Sequence, residues 1–337
     1  MSDDTGIVQH AVLDVPNRST GYCTDDIARG FIVACLASTH DRLRDDAQRL
    51  ARTYLSFLHD AQLPDGRFHN FMSFDRRWLD DVGSEDSIGR AIWALGVGTR
   101  CAPKASWRAL CDEMIMRAAP RAAELTFIRA RAYAALGLSQ AYDATGRNRT
   151  ALRDVLRGLG DAFTAAHAAA AAPNWDWFED DMTYANARLP EACIRLGMVL
   201  DDRNLLDLGL RTLEFYESVT FEDRTFVPIG NMGWHGRGAR RARYGQQPLE
   251  AAAMVDAELV AFAATGEIHY RRSAESALEW FYGRNTRDAV MASGGGCFDG
   301  LEELGVNRNM GAESTLAYLA GALVMAQPAI EVLRIAR

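Results

Sequence analysis

The chain has 337 residues, of which 48% are hydrophobic, so it is long enough to bury a large core. Its formal net charge of −8 gives no reason to expect nucleic acid or an anionic membrane surface as a partner. Lys104 is the only lysine. A pyridoxal linkage, another Schiff base or a P-loop would all need that residue, and no fitting motif surrounds it.

The six cysteines form no C-x-x-C pair and have no histidine at zinc spacing. This pattern is typical of reduced cysteines in a cytoplasmic protein, and neither a metal site nor a cofactor is expected. Acids stand where a signal peptide has its basic region, and no apolar run reaches about 18 residues without a charge. The sequence therefore predicts a cytoplasmic protein, although its first residues resemble the middle of a longer chain.

Helical periodicity dominates, and mostly apolar helices alternate with amphipathic ones. The first pair is predicted at residues 24–39 and 41–62. The pattern recurs about every 50–60 residues, a longer period than that of common solenoid repeats. The later pairs are 84–100 with 106–125, 126–144 with 151–172, 190–200 with 204–221, 248–265 with 268–282, and 313–326 with 329–337. Pro120 predicts a kink or break, whereas Pro190 and Pro248 suit the first position of a helix.

Six apolar inner helices ringed by six outer helices predict an all-α fold, an (α/α)6 barrel forming one domain over residues 1–337. Inner helices that are apolar on all sides favour a closed barrel over an open solenoid. The turns from inner to outer helices are short. The return connections are long, at 63–83, 173–189, 222–247 and 283–312, and the segment 1–23 is expected on the same face. Long connections in a compact domain are usually functional, so we expect the site at the N-terminal ends of the inner helices.

Polar and acidic side chains begin every inner helix except the third. An acid in a first helical turn also caps backbone amides and meets the positive end of the helix dipole, so each one alone has a structural explanation. Their recurrence at one face favours a site. The candidates are Asp25, Asp26 and Arg29 on the first inner helix, Glu85, Asp86 and Arg90 on the second, Asn186 and Glu191 on the fourth, Gln247 and Glu250 on the fifth, and Glu313 on the sixth.

Aromatic residues are interleaved with acids in the long connections. The candidates are His69 in the first, Trp175, Trp177 and Asp181 in the second, and Trp234 and His235 in the third. Aromatic faces beside hydrogen-bonding side chains suit a sugar, which has apolar C–H faces and a rim of hydroxyls. Phe71 and Phe178 are instead expected to pack their loops onto the barrel.

Three motifs carry a resemblance to a known group. They are GYCTDDIARG at 21–30, the W-D-W-F-E stretch leading to Y-A-N-A-R-L-P-E-A at 175–192, and N-M-G-A-E-S-T at 309–315. They resemble bacterial glycosidase-like proteins that occur beside or fused to glycosyltransferases, and at fold level the chain is similar to the six-hairpin glycosidases. The resemblance implies a carbohydrate-active (α/α)6 barrel that could serve a glycosyltransferase partner, and it implies no catalytic assignment.

The leading hypothesis is an inverting glycoside hydrolase acting on an oligosaccharide, which needs one carboxyl as acid and one as base. We predict Asp26 and either Glu85 or Asp86 as this pair, with Asp181, Glu191, Glu250 and Glu313 in reserve; Asp25 is expected to bind substrate. Arg29 and Arg90 would hold a carboxylate ionised, and Trp175, Trp177, His69 and Gln247 would hold sugar rings. One alternative is a sugar epimerase using His69 and His235. The other is a non-catalytic glycan-binding or partner domain of a glycosyltransferase.

Overall fold

The computed structural model describes residues 1–144 and 149–326. It divides into two compact units, Met1–Leu159 and Gly160–Arg337, which are described separately. The helix predicted at 329–337 lies outside the described residues. Within the described segments, no helix combines the length and the apolarity needed to cross a membrane.

The first unit is built on inner helices that are buried on nearly all sides. The first inner helix contacts its outer partner and the second inner helix, which in turn contacts its own outer partner and the third. The helices are α1 (Thr24–Ala37), α2 (Arg44–Ala61), α3 (Glu85–Cys101), α4 (Ala105–Ala122), α5 (Ile128–Ala144) and α6 (Arg149–Ala170), the last of which runs past the unit boundary.

Helices α3 and α5 approach each other very closely. A Cβ built on Gly96 would lie 2.0 Å from the carbonyl oxygen of Gly137, so only a glycine fits there. The close approach fixes the start of α5 beside the start of α3.

Short strands tie the first long connection to the start of α1. Strand β1 (Ala11–Val12) pairs with β2 (Val15–Pro16) in an N-terminal hairpin. Strand β3 (Tyr22–Cys23) then pairs antiparallel with β4 (Phe71–Met72), so that Cys23 lies opposite Phe71. The backbone immediately before the acidic start of α1 is thereby bound to the first long connection.

The second unit repeats the alternation of inner and outer helices. Helix α7 (Arg188–Leu200) contacts α8 (Arg203–Thr220) and α9 (Pro248–Thr265). Helix α9 contacts α10 (Ile268–Glu279) and α11 (Ala312–Ala326). The connections carry two-stranded ribbons: β5 (Asp181–Met182) with β8 (His235–Gly236), β6 (Phe221–Glu222) with β7 (Thr225–Phe226), β9 (Ala292–Ser293) with β10 (Gly296–Cys297), and β11 (Gly300–Glu302) with β12 (Gly305–Asn307).

The three prolines behave differently from one another. Pro248 is the first residue of α9, as predicted. Pro190 is the third residue of α7, because that helix begins at Arg188; a proline is still tolerated there, since first-turn N–H groups have no acceptor within the helix. Helix α4 continues through Pro120 and ends two residues later, so the proline marks the end of the helix and not a break within it.

Candidate active site

Helices α1 and α3 each bring one carboxylate to Arg90. The Nε of Arg90 lies 3.3 Å from Oδ1 of Asp25, and its Nη2 lies 4.0 Å from Oδ2 of Asp86. The Arg90 side chain is 8% exposed, whereas those of Asp25 and Asp86 are 21% and 22% exposed. A buried cation thus supports two carboxylates that both keep access to solvent. We call these three residues the Arg90 cluster.

Neighbouring side chains fix the position of the Arg90 cluster. The guanidinium carbon of Arg90 lies 4.1 Å from the centre of the Tyr133 ring on α5, which is a cation–π distance. Asn70 donates a hydrogen bond from Nδ2 to Oδ2 of Asp25 at 3.2 Å. The backbone N–H of Asn70 is itself held by the carboxylate of Asp80. The cluster is therefore supported from the first long connection and from α5.

Asp26 belongs to a separate, buried pair. Arg29 donates from Nη1 to Oδ1 of Asp26 at 2.8 Å, and the thiol of Cys23 lies 3.1 Å from Oδ2. The Asp26 side chain is only 4% exposed. Because it has so little access to solvent, Asp26 is a weaker candidate for reaction with a substrate than Asp25, whose side chain is 21% exposed.

Glu85 holds the start of α5. Its carboxylate accepts hydrogen bonds from the backbone N–H of Thr126 at 2.6 Å and of Phe127 at 2.8 Å, and from the Thr126 hydroxyl at 2.8 Å. Burial alone would raise the pKa of Glu85, but these hydrogen bonds outweigh it and hold the pKa below the usual 4.5. An ionised carboxylate with three donors is suited to a structural role.

His69 immediately precedes Asn70, which contacts Asp25, but the His69 side chain has other neighbours. Its Nδ1 is 2.7 Å from the carbonyl oxygen of Asp80, which can only accept, so Nδ1 carries the proton. The ring stacks on Trp78 with 4.8 Å between centroids. His69 therefore belongs to the packing of the loop.

The second unit contains a buried ion network at the start of α7. Arg188 donates from Nη1 to Glu191 at 2.5 Å and contacts Oδ2 of Asp256 through Nη2 at 2.7 Å. Arg195 donates to the other oxygen of Glu191 at 3.2 Å. Burial raises the pKa of Asp256, although Arg188 opposes the effect. Asp256 was not among the predicted site residues, although it is a charged residue near the start of the nearly apolar helix α9.

Glu250 and Asn186 are brought together, but in a structural arrangement. The Glu250 carboxylate accepts hydrogen bonds from the backbone N–H of Ala185 and, at 3.4 Å, of Asn186. The hydroxyl of Tyr216 donates to the same carboxylate at 3.3 Å. Both Glu250 and Asn186 are buried. This acid holds the turn that leads into α7.

The two tryptophans predicted to hold sugar rings are buried. Trp177 is fully buried and stacks on Tyr216, with 5.5 Å between ring centroids. Trp175 donates from Nε1 to the carbonyl oxygen of Glu179 at 2.7 Å. Neither ring has a face available to a sugar. Phe178 is buried as expected, whereas Phe71, for which packing was also predicted, is exposed.

The remaining candidates are distributed over the second unit. Asp181 is exposed in β5 opposite Gly236, and Trp234 is half-buried with a left-handed backbone at φ 55°. The ring of His235 packs against Trp175, and burial together with Arg241 lowers its pKa. Two more residues are half-buried at helix starts: Gln247 immediately before α9 and Glu313 in the first turn of α11.

No protein-family profile matches the chain, and no curated protein sequence matches it either. Solved structures do. A sugar epimerase from a ruminal bacterium matches with a TM-score of 0.71 at 14% identity, covering 97% of this chain and 94% of that chain. A cellobiose 2-epimerase from Bacillus thermoamylovorans gives 0.72 at 10% identity, with coverages of 96% and 93%. An alpha-mannanase from Bacteroides thetaiotaomicron gives 0.64 at 10% identity, with coverages of 91% and 86%.

These similarities show the fold, since they extend over nearly the whole chain. The predicted fold class, all-α and of the (α/α)6-barrel type, is confirmed. The similar structures are enzymes that act on sugars. At such low identity the likeness by itself assigns no reaction to this chain.

Proposed function

We propose that the chain is a glycoside hydrolase whose reacting carboxyls are Asp25 and Asp86. The observation that carries the proposal is the Arg90 cluster, in which two solvent-accessible carboxylates from different inner helices contact one buried guanidinium. A guanidinium is only a few ångströms wide, so these two contacts limit the separation of the carboxyls to about 10 Å, which allows the spacings that glycosidases use. Asp86 stays from the predicted pair, and Asp25 takes the place of Asp26.

The proposed reaction is inverting hydrolysis of an oligosaccharide. One carboxyl of the Arg90 cluster gives a proton to the leaving oxygen, and the other takes a proton from the attacking water. Arg90 contacts both carboxyls and holds them in position. The reaction needs no cofactor.

The test combines a glycan panel with two variants. Wild type is incubated with mannosides, glucosides and uronides, and reducing-end release and the anomeric configuration of the product are followed by NMR. We expect an inverted product, and Asp25→Asn and Asp86→Asn should each reduce turnover by about 10²–10⁴-fold. The matched control is Asp81→Asn, an exposed acid in the connection that precedes α3. Turnover that survives both substitutions contradicts the proposal.

Aryl glycosides separate the two roles. A variant lacking the acid should keep most of its activity on a substrate whose leaving group needs no proton, such as a dinitrophenyl glycoside. A variant lacking the base should stay slow on that substrate and recover with azide, giving a glycosyl azide. Identical behaviour of Asp25→Asn and Asp86→Asn on the aryl substrate contradicts the division of roles.

A second candidate function is sugar epimerisation or isomerisation. Two of the similar structures quoted above are epimerases, and they match over more than nine tenths of both chains. Against a histidine pair, none of the described inner helices contains a histidine, and His69 is bound to Asp80 within its loop. The two functions are distinguished in D₂O, because an epimerase exchanges a sugar C–H proton and a hydrolase does not.

The finer proposals on context rest on the sequence. We propose a cytoplasmic location because all six cysteines are free, as is usual in a reducing compartment. We propose a glycosyltransferase as partner on the resemblance of the three motifs. Binding of glycans without any turnover would favour the alternative of a non-catalytic glycan-binding or partner domain.

A further inference from the structure

Two large aromatic side chains are exposed near the Arg90 cluster. Phe71 is 43% exposed and Phe127 is 67% exposed. Single exposed aromatics are common on protein surfaces and need no explanation by themselves. Phe71 and Phe127 differ from other exposed aromatics because their backbone is linked to the Arg90 cluster. Each is bonded, covalently or by a hydrogen bond, to a residue that contacts or immediately precedes a member of the cluster.

Phe71 is placed on the α1 side of the Arg90 cluster. It lies opposite Cys23 in the β3–β4 pair, and Cys23 is the residue immediately before α1. The preceding residue, Asn70, donates the hydrogen bond to Asp25 described above. The backbone N–H of Phe71 donates a hydrogen bond to the carboxylate of Asp80 at 3.1 Å. The residue with the exposed ring is therefore the sequence neighbour of a residue that contacts Asp25 directly.

Phe127 is placed on the α5 side. Its N–H donates to the carboxylate of Glu85 at 2.8 Å, and Glu85 immediately precedes Asp86 in α3. Helix α5 begins at the next residue and packs closely on α3. The most exposed aromatic of the first unit therefore stands at the start of the helix beside the second carboxylate.

We infer that Phe71 and Phe127 are stacking subsites for sugar rings on the two sides of the bond cleaved at the Arg90 cluster. Aromatic faces pack against the apolar C–H faces of sugars while the hydroxyl rim hydrogen-bonds elsewhere. The inference rests on the proposed function and names its substrate class, an oligosaccharide longer than one ring. Arg90 is already shared by Asp25 and Asp86, so it is not available to select an anionic sugar, and we expect neutral sugar rings.

The test measures how affinity depends on chain length. Cello- and manno-oligosaccharides of one to six rings are titrated by calorimetry into the Asp86→Asn variant, which prevents turnover. We expect the affinity to rise with the number of rings. Adding Phe71→Ala or Phe127→Ala should lower the affinity for the longer chains by about 3- to 10-fold each and leave that for single rings unchanged. Phe71→Tyr and Phe127→Trp should retain the gain.

Phe74→Ala is the matched control, because Phe74 is also an exposed phenylalanine of this connection but stacks on Tyr22 and lies under Arg18. Circular dichroism verifies that each variant is folded. Equal losses from Phe74→Ala, affinity that does not depend on ring number, or no binding of either series would overturn the inference. The proposed function is judged separately, by turnover of the broader panel, which includes uronides.

Discussion

Glu85 and Glu250 have the same role in the two units. Each lies in the first turn of an inner helix and accepts a hydrogen bond from the backbone in front of another inner helix. The carboxylate of Glu85 accepts from the N–H of Phe127, just before α5, and that of Glu250 accepts from the N–H of Ala185, just before α7. The first N–H groups of a helix have no acceptor within the helix, and the carboxylates of these acids provide acceptors at the helix starts. Such acids connect one inner helix to another, which separates them from carboxylates that face a side-chain cation and solvent.

Replacing Glu85 by Gln should weaken the start of α5. We expect a loss of about 1 kcal/mol in the free energy of unfolding at pH 7, as for other helix caps. The folded pKa of Glu85 lies below the usual 4.5, so its stabilisation is complete above that pH and disappears as the pH falls through the folded pKa. Urea unfolding at pH 7 and pH 3 should therefore show a difference that shrinks in acid.

The control for Glu85→Gln is Glu303→Gln, which removes the same charge from an exposed turn. It should leave the free energy of unfolding within about 0.5 kcal/mol of wild type. A Glu85→Gln effect that persists unchanged at pH 3 would contradict the assigned role of the carboxylate.

At the scale of the helices, contact between α3 and α5 depends on glycines. Gly96 faces Gly137, and a Cβ at either position would meet the backbone of the other helix. Gly96→Ala should therefore lower the free energy of unfolding by about 1–3 kcal/mol through overpacking. Because Tyr133 lies on α5 and Phe127 immediately precedes that helix, the same variant should also weaken sugar binding.

Gly158→Ala is the matched control for this substitution. Gly158 lies within α6, and a Cβ there would have nothing within 4 Å. Alanine is a better helix former, so this variant should gain about 0.5–1 kcal/mol. Thermal or urea unfolding of both variants measures the two effects. The same sign for both changes would show that close helix contact is not what Gly96 provides.

A helix boundary can be predicted from the sequence only where residues close to that boundary determine it. Helix α9 begins at Pro248 and ends before Gly266, whose φ of 75° is a typical left-handed cap, so both ends were predictable. Helix α7 begins two residues before Pro190, because Glu250 of a distant helix holds the turn that precedes it. No pattern within 15 residues of α7 contains that information.

For the whole molecule, the residue types at the starts of the inner helices were predictable and their contact partners were not. Acids at inner helix starts follow from periodicity and loop length, which is why Asp25 and Asp86 were among the candidates. Whether an aromatic is exposed depends on what packs against its loop. Trp177 is fully buried against α8, and Phe71 lies on a two-stranded ribbon that leaves its ring exposed, which is the reverse of the predicted roles.

The pH dependence of the stability of the whole chain should reveal one more buried group. Glu258 of α9 is buried, and neither of its carboxyl oxygens accepts a hydrogen bond from a donor in the described part of the chain. Burial, with a further contribution from Glu217 of α8, raises its pKa well above the usual 4.5. Glu217 accepts a hydrogen bond from the hydroxyl of Ser273 on α10 at 2.7 Å. A protonated Glu258 can donate to Glu217, which an ionised one cannot.

The raised pKa fixes the sign of the effect. The folded state binds the Glu258 proton more tightly than the unfolded state, so this stability is complete below about pH 4.5 and is lost as the pH rises towards the folded pKa. Glu258→Gln keeps a buried neutral group and removes the titration. In urea unfolding from pH 5 to pH 9, we expect the variant to gain on wild type as the pH rises, by at least about 1 kcal/mol at the upper end. Curves that stay parallel over this range would show that Glu258 does not hold a proton in the fold.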